Sequence, residues 1–386
     1  KNNLNPESIE DISAAYVYGS TAYEDDAHAK GEIDSINTRL YAGDPELKDI
    51  YDAGRKTSLE HFEVIYKILG TTFNHYFFES EVANAGIEVV KKGLKEGIFE
   101  ESDGAVVYKG EKKGLHTRVF LTSKGTPTYE TKELGLDKTK FEKEKLTHSV
   151  IITANEQDGF FKVVLAAMEE VLPSVASNTE HVSHGMMQLV GGKMSSRKGN
   201  VITGESLIAD MRERAYKKME ERSLGDAKHD VADAVAVAAI KYEVLKQGTG
   251  KNIVFDPDAS LSFEGDSGPY LQYAHVRALS ILRKAKEATL PALTNDSEVP
   301  NIVTTLERLL YRFPQVIERA QHEHEPHHIT TFLTELASAF NSWYANEKII
   351  DESDKTSAYK VGLVSAFALT MKRGLNVLGI RTPEVM

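Results

Sequence analysis

The chain has 386 residues, a formal net charge of −12 and no cysteine. Disulfide scaffolds and thiolate zinc sites are thereby excluded, and the acidity argues against a protein that coats nucleic acid nonspecifically. No run of 18 apolar residues occurs, so no transmembrane helix is expected, while 41% hydrophobic residues suffice for two or three domains with buried cores.

The opening Lys1-Asn2-Asn3-Leu4-Asn5 holds no apolar core of a secretion signal, and a cysteine-free composition fits the cytoplasm. The acidity is uneven. Residues 261–386 carry 13 Lys and Arg against 15 Asp and Glu, which makes the C-terminal third the less repulsive surface for a polyanion.

Residues 1–70 are polar and helix-prone, with apolar residues at three- and four-residue spacing in Glu46–Ile50 and Leu59–Leu69. Asn74–Ser80 is aromatic and reads as a strand. Ala83–Lys95 reads as a helix stopped near Gly97, and short strands are expected at Gly104–Tyr108, Thr117–Leu121 and Ser149–Thr153. Gly125-Thr126-Pro127 marks a turn. A helix from Gln157 to Leu172 stops before Pro173, and His181–Val190 reads as one buried strand. A helix over Ser206–Glu221 follows. This order predicts a parallel α/β sheet. From Ala227 onward the pattern is helical: Val231–Gln247, Tyr270–Lys286, Val303–Glu318, Thr330–Asn346 and Ser357–Leu378, which together predict a bundle. The acidic patches Glu24-Asp25-Asp26 and Glu100-Glu101-Ser102-Asp103 read as solvated loops.

The most informative stretch is Lys193-Met194-Ser195-Ser196-Arg197-Lys198-Gly199-Asn200. Three cations and two hydroxyls between a strand and a helix suit a polyphosphate, since backbone N–H groups, hydroxyls and lysines all reach phosphate oxygens. The string resembles the Lys-Met-Ser-Lys-Ser loop of class I aminoacyl-tRNA synthetases, in the form found in arginyl-tRNA synthetases. Ser196 stands where the general pattern has its second lysine, so Arg197 or Lys198 would supply that charge. The resemblance implies ATP, with Mg2+, as a substrate. It gives Lys193, Ser195, Ser196, Arg197 and Lys198 to catalysis and Met194 to ATP binding.

Three further segments carry the same resemblance. In Gly125–Gly135, Tyr129 and Glu133 occupy the positions where the family grips arginine, although the family usually has aspartate at Glu133. A carboxylate can take a guanidinium in two parallel charge-assisted bonds. The alternative is an ordinary surface pair one helical turn apart. In Ile151–Phe160 a strand gives way to a helix, and Gln157 falls where the family places a substrate-binding glutamine; the alternative is a capping segment with Asn155 as cap. In His181-Val182-Ser183-His184-Gly185-Met186-Met187 the resemblance assigns adenine recognition to the backbone. Gly185 would permit close approach and Met187 would present main-chain groups, with His181 alongside. The alternative makes Met186 and Met187 plain strand core and His181 a buried polar residue.

Gly268–Arg277 resembles the entry helix of the family's anticodon-binding domain. Tyr270, Tyr273 and Arg277 share one face, and the tail Arg381–Met386 resembles the family's short ending. The implied tRNA contacts are Tyr270, Tyr273, Arg277, Trp343 and Met386, since exposed aromatics stack on splayed bases. For the aromatic residues, Trp343 above all, the alternative is bundle core. His324-Glu325-Pro326-His327-His328 fits the H-E-x-x-H pattern of zinc peptidases, but Pro326 fits better as the first residue of a helix, leaving His324 in the preceding loop; no metal site is expected.

The expected architecture is a partial Rossmann-like class I synthetase catalytic domain over 1–260 and an all-helical anticodon-binding domain over 261–386. The expected partners are tRNA(Arg), L-arginine and ATP, and the expected state is a monomer. The rivals are a noncatalytic tRNA-binding module and a synthetase for another amino acid. The sequence holds no His-x-Gly-His element of the kind class I enzymes carry early in the catalytic domain, so the chain reads as the C-terminal portion of the family. On that reading the 386-residue polypeptide alone gives no arginine-dependent ATP–pyrophosphate exchange. Exchange at an ordinary synthetase rate would overturn it.

Overall fold

The computed structural model describes residues 4–190, 203–219, 225–290, 293–295 and 297–386. Three helices come first: α1 (Ile9–Asp25), α2 (Ala27–Tyr41) and α3 (Pro45–Leu69). Each opens on a side-chain cap, Ser8, Asp26 and Asp44 respectively, which satisfies N–H groups that a helix start leaves open. Asp26, read as part of a solvated acidic patch, is thus a cap. None of the three helices has a buried residue.

Residues 71–78 are not a strand. Their rings pack locally instead: Phe73 meets Tyr66 edge-on at 4.7 Å, and Arg55 stacks over Phe78 at 3.9 Å. Aromatic content favours a strand, but among the described residues no neighbouring strand offers a ladder.

Helix α4 (Glu79–Lys95) follows, then the antiparallel meander β1 (Glu100–Ser102), β2 (Ala105–Tyr108) and β3 (Arg118–Leu121), in spatial order β1-β2-β3. The acidic patch at Glu100–Asp103 is therefore largely strand, exposed as expected, with Glu100 paired to Lys109 at 2.6 Å. Helix α5 (Tyr129–Glu144) crosses α4 where Gly86 and Gly135 meet. A Cβ on either glycine would overlap backbone of the other helix. Strand β4 (Ser149–Ala154), helix α6 (Asp158–Val171), helix α7 (Pro173–Ala176) and strand β5 (Thr179–His184) form a parallel unit, paired from Ser149↔Thr179 to Ala154↔His184.

The strand expected over His181–Val190 is interrupted. β5 ends at His184, and β6 (Met187–Leu189) belongs to a different parallel pair with β7 (Ile253–Phe255). The break has a local cause: Gly185 lies against the backbone of Lys251, and Met186 N–H donates to Asn252 Oδ1 at 3.0 Å rather than to a ladder carbonyl. Between β6 and β7 run α8 (Gly204–Lys218) and α9 (Lys228–Leu245). The expected parallel sheet is thus two separate parallel pairs among the described residues.

After the short α10 (Pro257–Ser260) come the bundle helices α11 (Gly268–Glu287), α12 (Thr305–Glu323), α13 (His327–Asn346) and α14 (Ser357–Val377). Pro269 sits in the first turn of α11, where its missing N–H costs nothing. α12 opens on a capping box, Thr304 with Glu307, and Tyr359 also donates to Glu307. His324 closes α12 in the left-handed conformation, Pro326 is the N-cap of α13, and His327 is its first residue. Of His324 and His328, only His328 therefore stands on a helix, while His324 caps the preceding one; His328 pairs with Glu323 at 2.5 Å and His324 with Glu180 at 2.6 Å.

Among the described residues there are three cores. One joins α4, the meander and α6; one joins α8, α9 and β7; one fills the bundle. Ala238 and Tyr242 of α9 belong to the bundle core, so α9 serves both of the last two. No described helix is long and apolar enough to cross a membrane.

Candidate active site

Helix α5 begins immediately after the turn at Gly125, whose φ of 74° suits glycine. Its first turn places Tyr129 and Glu133 four residues apart on one side. The end of β4 and a 3₁₀ turn at Asn155–Gln157 bring Gln157 to the same place. The three expected arginine-binding residues line one cavity of about 690 Å³, together with Arg118, Lys132 and Phe160. Tyr129 stands exposed at the rim, Gln157 is exposed, and Glu133 is half-buried.

The cations at this cavity are already engaged. Lys132 pairs with Glu79 at 2.6 Å and lies over the Tyr129 ring at 5.2 Å. Arg118 pairs with Glu130 at 3.0 Å and lies over Phe160 at 5.5 Å. Among the described residues no ion pair engages Glu133. Burial, and then the neighbouring Asp137 carboxylate, push the Glu133 carboxyl up to about 7. A half-buried acid without a partner, beside a tyrosine and a glutamine, is what a guanidinium would complete.

Asn155, considered above as a helix cap, does not cap α6; Gln157 holds that position without a side-chain bond. The Asn155 amide instead donates to Gly250 O at 3.1 Å and to Asn252 Oδ1 at 3.3 Å. It ties the end of β4 to the segment that lies against Gly185. The close approach that Gly185 permits is made by the chain itself, to the Lys251 carbonyl. His181 stacks on Phe161 at 4.2 Å and shares a hydrogen bond with Thr153 at 2.7 Å, and burial lowers its proton affinity. His181 is thus a half-buried polar residue with a partner.

The Met187 side chain packs against the cluster around α8 and α9, while Met186 is exposed. The core alternative thus describes one of the two methionines. Ile253 N–H donates to Met186 O at 2.9 Å, a parallel register in which the Met187 main-chain groups point away from β7. Lys193, Met194, Ser195, Ser196, Arg197 and Lys198 lie outside the described residues. Their flanks are β6 and α8, a strand and a helix, and α8 is capped by Thr203.

In the bundle, Arg277 donates to Asn341 Oδ1 at 2.7 Å and to Tyr273 OH at 3.3 Å, and Asn341 donates to Tyr270 OH at 3.0 Å. Arg277 also lies over the rings of Tyr273 and Tyr344. Tyr270, Tyr273 and Arg277 are half-buried, so they form one network bridging α11 and α13. Trp343 is half-buried and packs on the bundle core. Met386 packs against the α8–α9 cluster, on a tail held by Arg381 to Asp230 at 2.9 Å and by Gln272 to Arg381 O at 2.6 Å. Sequence reading missed Asn341, because an isolated polar residue in a helix carries no pattern. It missed Asp137 and Lys140 as well, although their spacing from Glu133 puts them on its face.

Residues 1–257 match the family of class I (R) tRNA synthetase catalytic domains, and residues 271–386 match the DALR anticodon binding domain. An arginine–tRNA ligase of Streptococcus thermophilus is 34% identical over 98% of this chain and 67% of its own length. One from Ligilactobacillus salivarius is 32% identical over 90% of this chain and 62% of its own length. The chain thus spans about two thirds of these relatives. Its fold is similar to Thermus thermophilus arginyl-tRNA synthetase, with a TM-score of 0.78 at 24% identity, over 97% of this chain and 70% of that one. It is less similar to Mycobacterium tuberculosis methionyl-tRNA synthetase, with a TM-score of 0.53 at 12% identity, over 90% and 81%. With its larger part matched to that catalytic family and its last third to the DALR domain, this chain belongs to the class I arginyl-tRNA synthetases.

Proposed function

We propose that the chain serves arginine–tRNA ligation: activation of L-arginine by ATP, then transfer of the arginyl group to tRNA(Arg). The observation that carries this reading is the unpaired Glu133 carboxylate in a cavity shared with Tyr129 and Gln157. Glu133 takes the guanidinium, with Tyr129 and Gln157 beside it. The main chain around Gly185 and Met187 meets the adenine, with His181 packed behind. Lys193, Ser195, Ser196, Arg197 and Lys198 hold the phosphates, and Met194 accompanies them. Magnesium enters with the nucleotide as part of the substrate. Residues 1–260 supply these contacts as part of a catalytic domain, and residues 261–386 hold the anticodon. We place the protein in the cytoplasm as a monomer.

Calorimetric titration of the chain with L-arginine, L-citrulline and L-lysine tests the reading. Arginine is expected to bind at least about tenfold tighter than either, because a neutral urea leaves the carboxylate unpaired and an ammonium makes a single contact. Equal binding of citrulline would refute the assignment.

The bundle assignment has its own test. Tyr273→Ala is expected to weaken tRNA binding by about 1–3 kcal/mol, the range for one stacked base. A fall of many degrees in Tm with unchanged tRNA affinity of the folded protein would mean that Tyr273 is bundle core.

A further inference from the structure

One turn along α5 from Glu133 lies Asp137, completely buried. Its partner is Lys140, with Nζ 2.6 Å from Oδ1; apart from that ion pair neither oxygen has a hydrogen-bond partner among the described residues. Lys140 Nζ also donates to Ser149 Oγ at 3.3 Å, at the start of β4. Glu133, Asp137 and Lys140 fall at i, i+4 and i+7, on one face of the helix. A buried ion pair is a poor stabilising device, since desolvation consumes most of the attraction. Its place beside an unpaired substrate-facing carboxylate suggests a different role.

We infer that Asp137 is a positioning residue for arginine recognition: by holding Lys140 in an ion pair, it keeps that lysine from neutralising Glu133 and leaves Glu133 open to the guanidinium. The inference rests on the arginine reading of the cavity. Seven residues of helix separate Glu133 and Lys140 by about 10 Å along the axis, a span that the two extended side chains cover between them. Lys140 already acts on Glu133 electrostatically, in the direction opposite to Asp137. The other charges near Glu133 are engaged elsewhere or stand apart. Glu79 of α4 pairs with Lys132, Glu130 of α5 pairs with Arg118 of β3, Glu156 lines the cavity, and His181 of β5 is bonded to Thr153. Lys140 is therefore the cation that Asp137 must restrain.

The test compares the parent chain with Asp137→Asn and with the double variant Asp137→Asn/Lys140→Met. Two readouts are taken: L-arginine affinity by calorimetry, and the Glu133 titration followed by NMR of 13C-glutamate-labelled protein without ligand. In Asp137→Asn the freed lysine is expected to pair with Glu133. Arginine affinity then falls about tenfold or more, and the Glu133 titration moves well below neutral pH. In the double variant the rival cation is gone, so affinity returns to within about threefold of the parent and the titration returns toward neutral. Parent-like behaviour of Asp137→Asn in the titration, or a double variant as impaired as the single one, would overturn the inference. The titration needs no arginine, so a chain that shows the titration pattern but binds no arginine would refute the ligand reading and leave the restraint on Lys140 standing. Should Asp137→Asn fail to fold, the double variant together with Lys140→Met decides. With the lysine gone, the inference expects these two proteins to bind L-arginine within about threefold of each other; a double variant impaired about tenfold beyond Lys140→Met would show that Asp137 acts otherwise than through Lys140 and overturn the inference.

Discussion

Glu133→Gln is expected to weaken L-arginine binding by about 1.5–3 kcal/mol, the scale of a hydrogen bond to a charged group. The substitution keeps the shape of the side chain and removes only its charge, so ATP binding is expected to stay nearly unchanged. The same residue predicts a pH dependence. Its carboxyl is pushed up to about 7 in the free protein, from an ordinary carboxylate range near 4.5. The folded state thus holds a proton here that the unfolded chain releases. This group's contribution to stability is full below the ordinary range and is lost as pH rises toward and through 7, by about 3 kcal/mol at 1.36 kcal/mol per unit. Arginine binding runs the other way, because the guanidinium requires the carboxylate. Affinity is expected to climb through pH 6–7 by up to tenfold per unit and level off above it. In Glu133→Gln that climb disappears. Calorimetry over pH 5.5–8.5 checks both. Equal loss of arginine and ATP binding, or a pH profile identical in parent and variant, would show Glu133 to be structural.

Gly185→Ala is expected to cost about 1–3 kcal/mol of stability and to weaken ATP binding at the same time. A methyl group there would overlap the Lys251 carbonyl and the Asn252 nitrogen. These are backbone atoms, which cannot rotate aside as a side chain can, so the β5–β6 junction or residues 250–252 must move. Asn252 receives both Met186 N–H and the Asn155 amide, and the shift passes directly to the segment assigned to adenine. Gly159→Ala is the control. It lies in α6 with nothing within 4 Å of the added methyl, and it should be neutral or slightly stabilising. Thermal unfolding and nucleotide titration of the two variants check the contrast. A Gly185→Ala protein with parental Tm and parental ATP affinity would sink the assignment of this junction.

Much of the helical structure was legible beforehand because its determinants are local. The spacing of apolar residues placed α9, α11, α13 and α14 within about three residues of their observed ends and ended α12 five residues early, at Glu318 rather than Glu323, and Pro326 was enough to keep His324 off the helix that carries His328. The spacing of Tyr129 and Glu133, with Gln157 at the end of a strand, was enough to nominate one site, and the three do line one cavity. Family kinship was readable from eight residues of a loop that lies outside the described structure, since a short string of rare composition carries information independent of its conformation.

What the tertiary structure alone decided were the features that depend on partners distant in sequence. Strand identity needs a ladder. Asn74–Ser80 has the aromatic content of a strand, but its rings meet near neighbours, Tyr76 with Phe73 and His75 with Phe77, whereas the acidic Glu100–Ser102 becomes a strand because β2 lies beside it. The division of His181–Val190 into two strands follows from the backbone of Lys251, some 66 residues away. Ionisation is decided in the same way. On a helix the spacing favours Asp137, three residues from Lys140, over Glu133, seven away, but it says nothing of burial; that Asp137 is fully buried and that Glu133 stands unpaired beside a cavity is decided by the fold. Local periodicity is written in neighbouring residues and survives without a fold, but pairing, burial and proton affinity are properties of groups brought together by the folded chain.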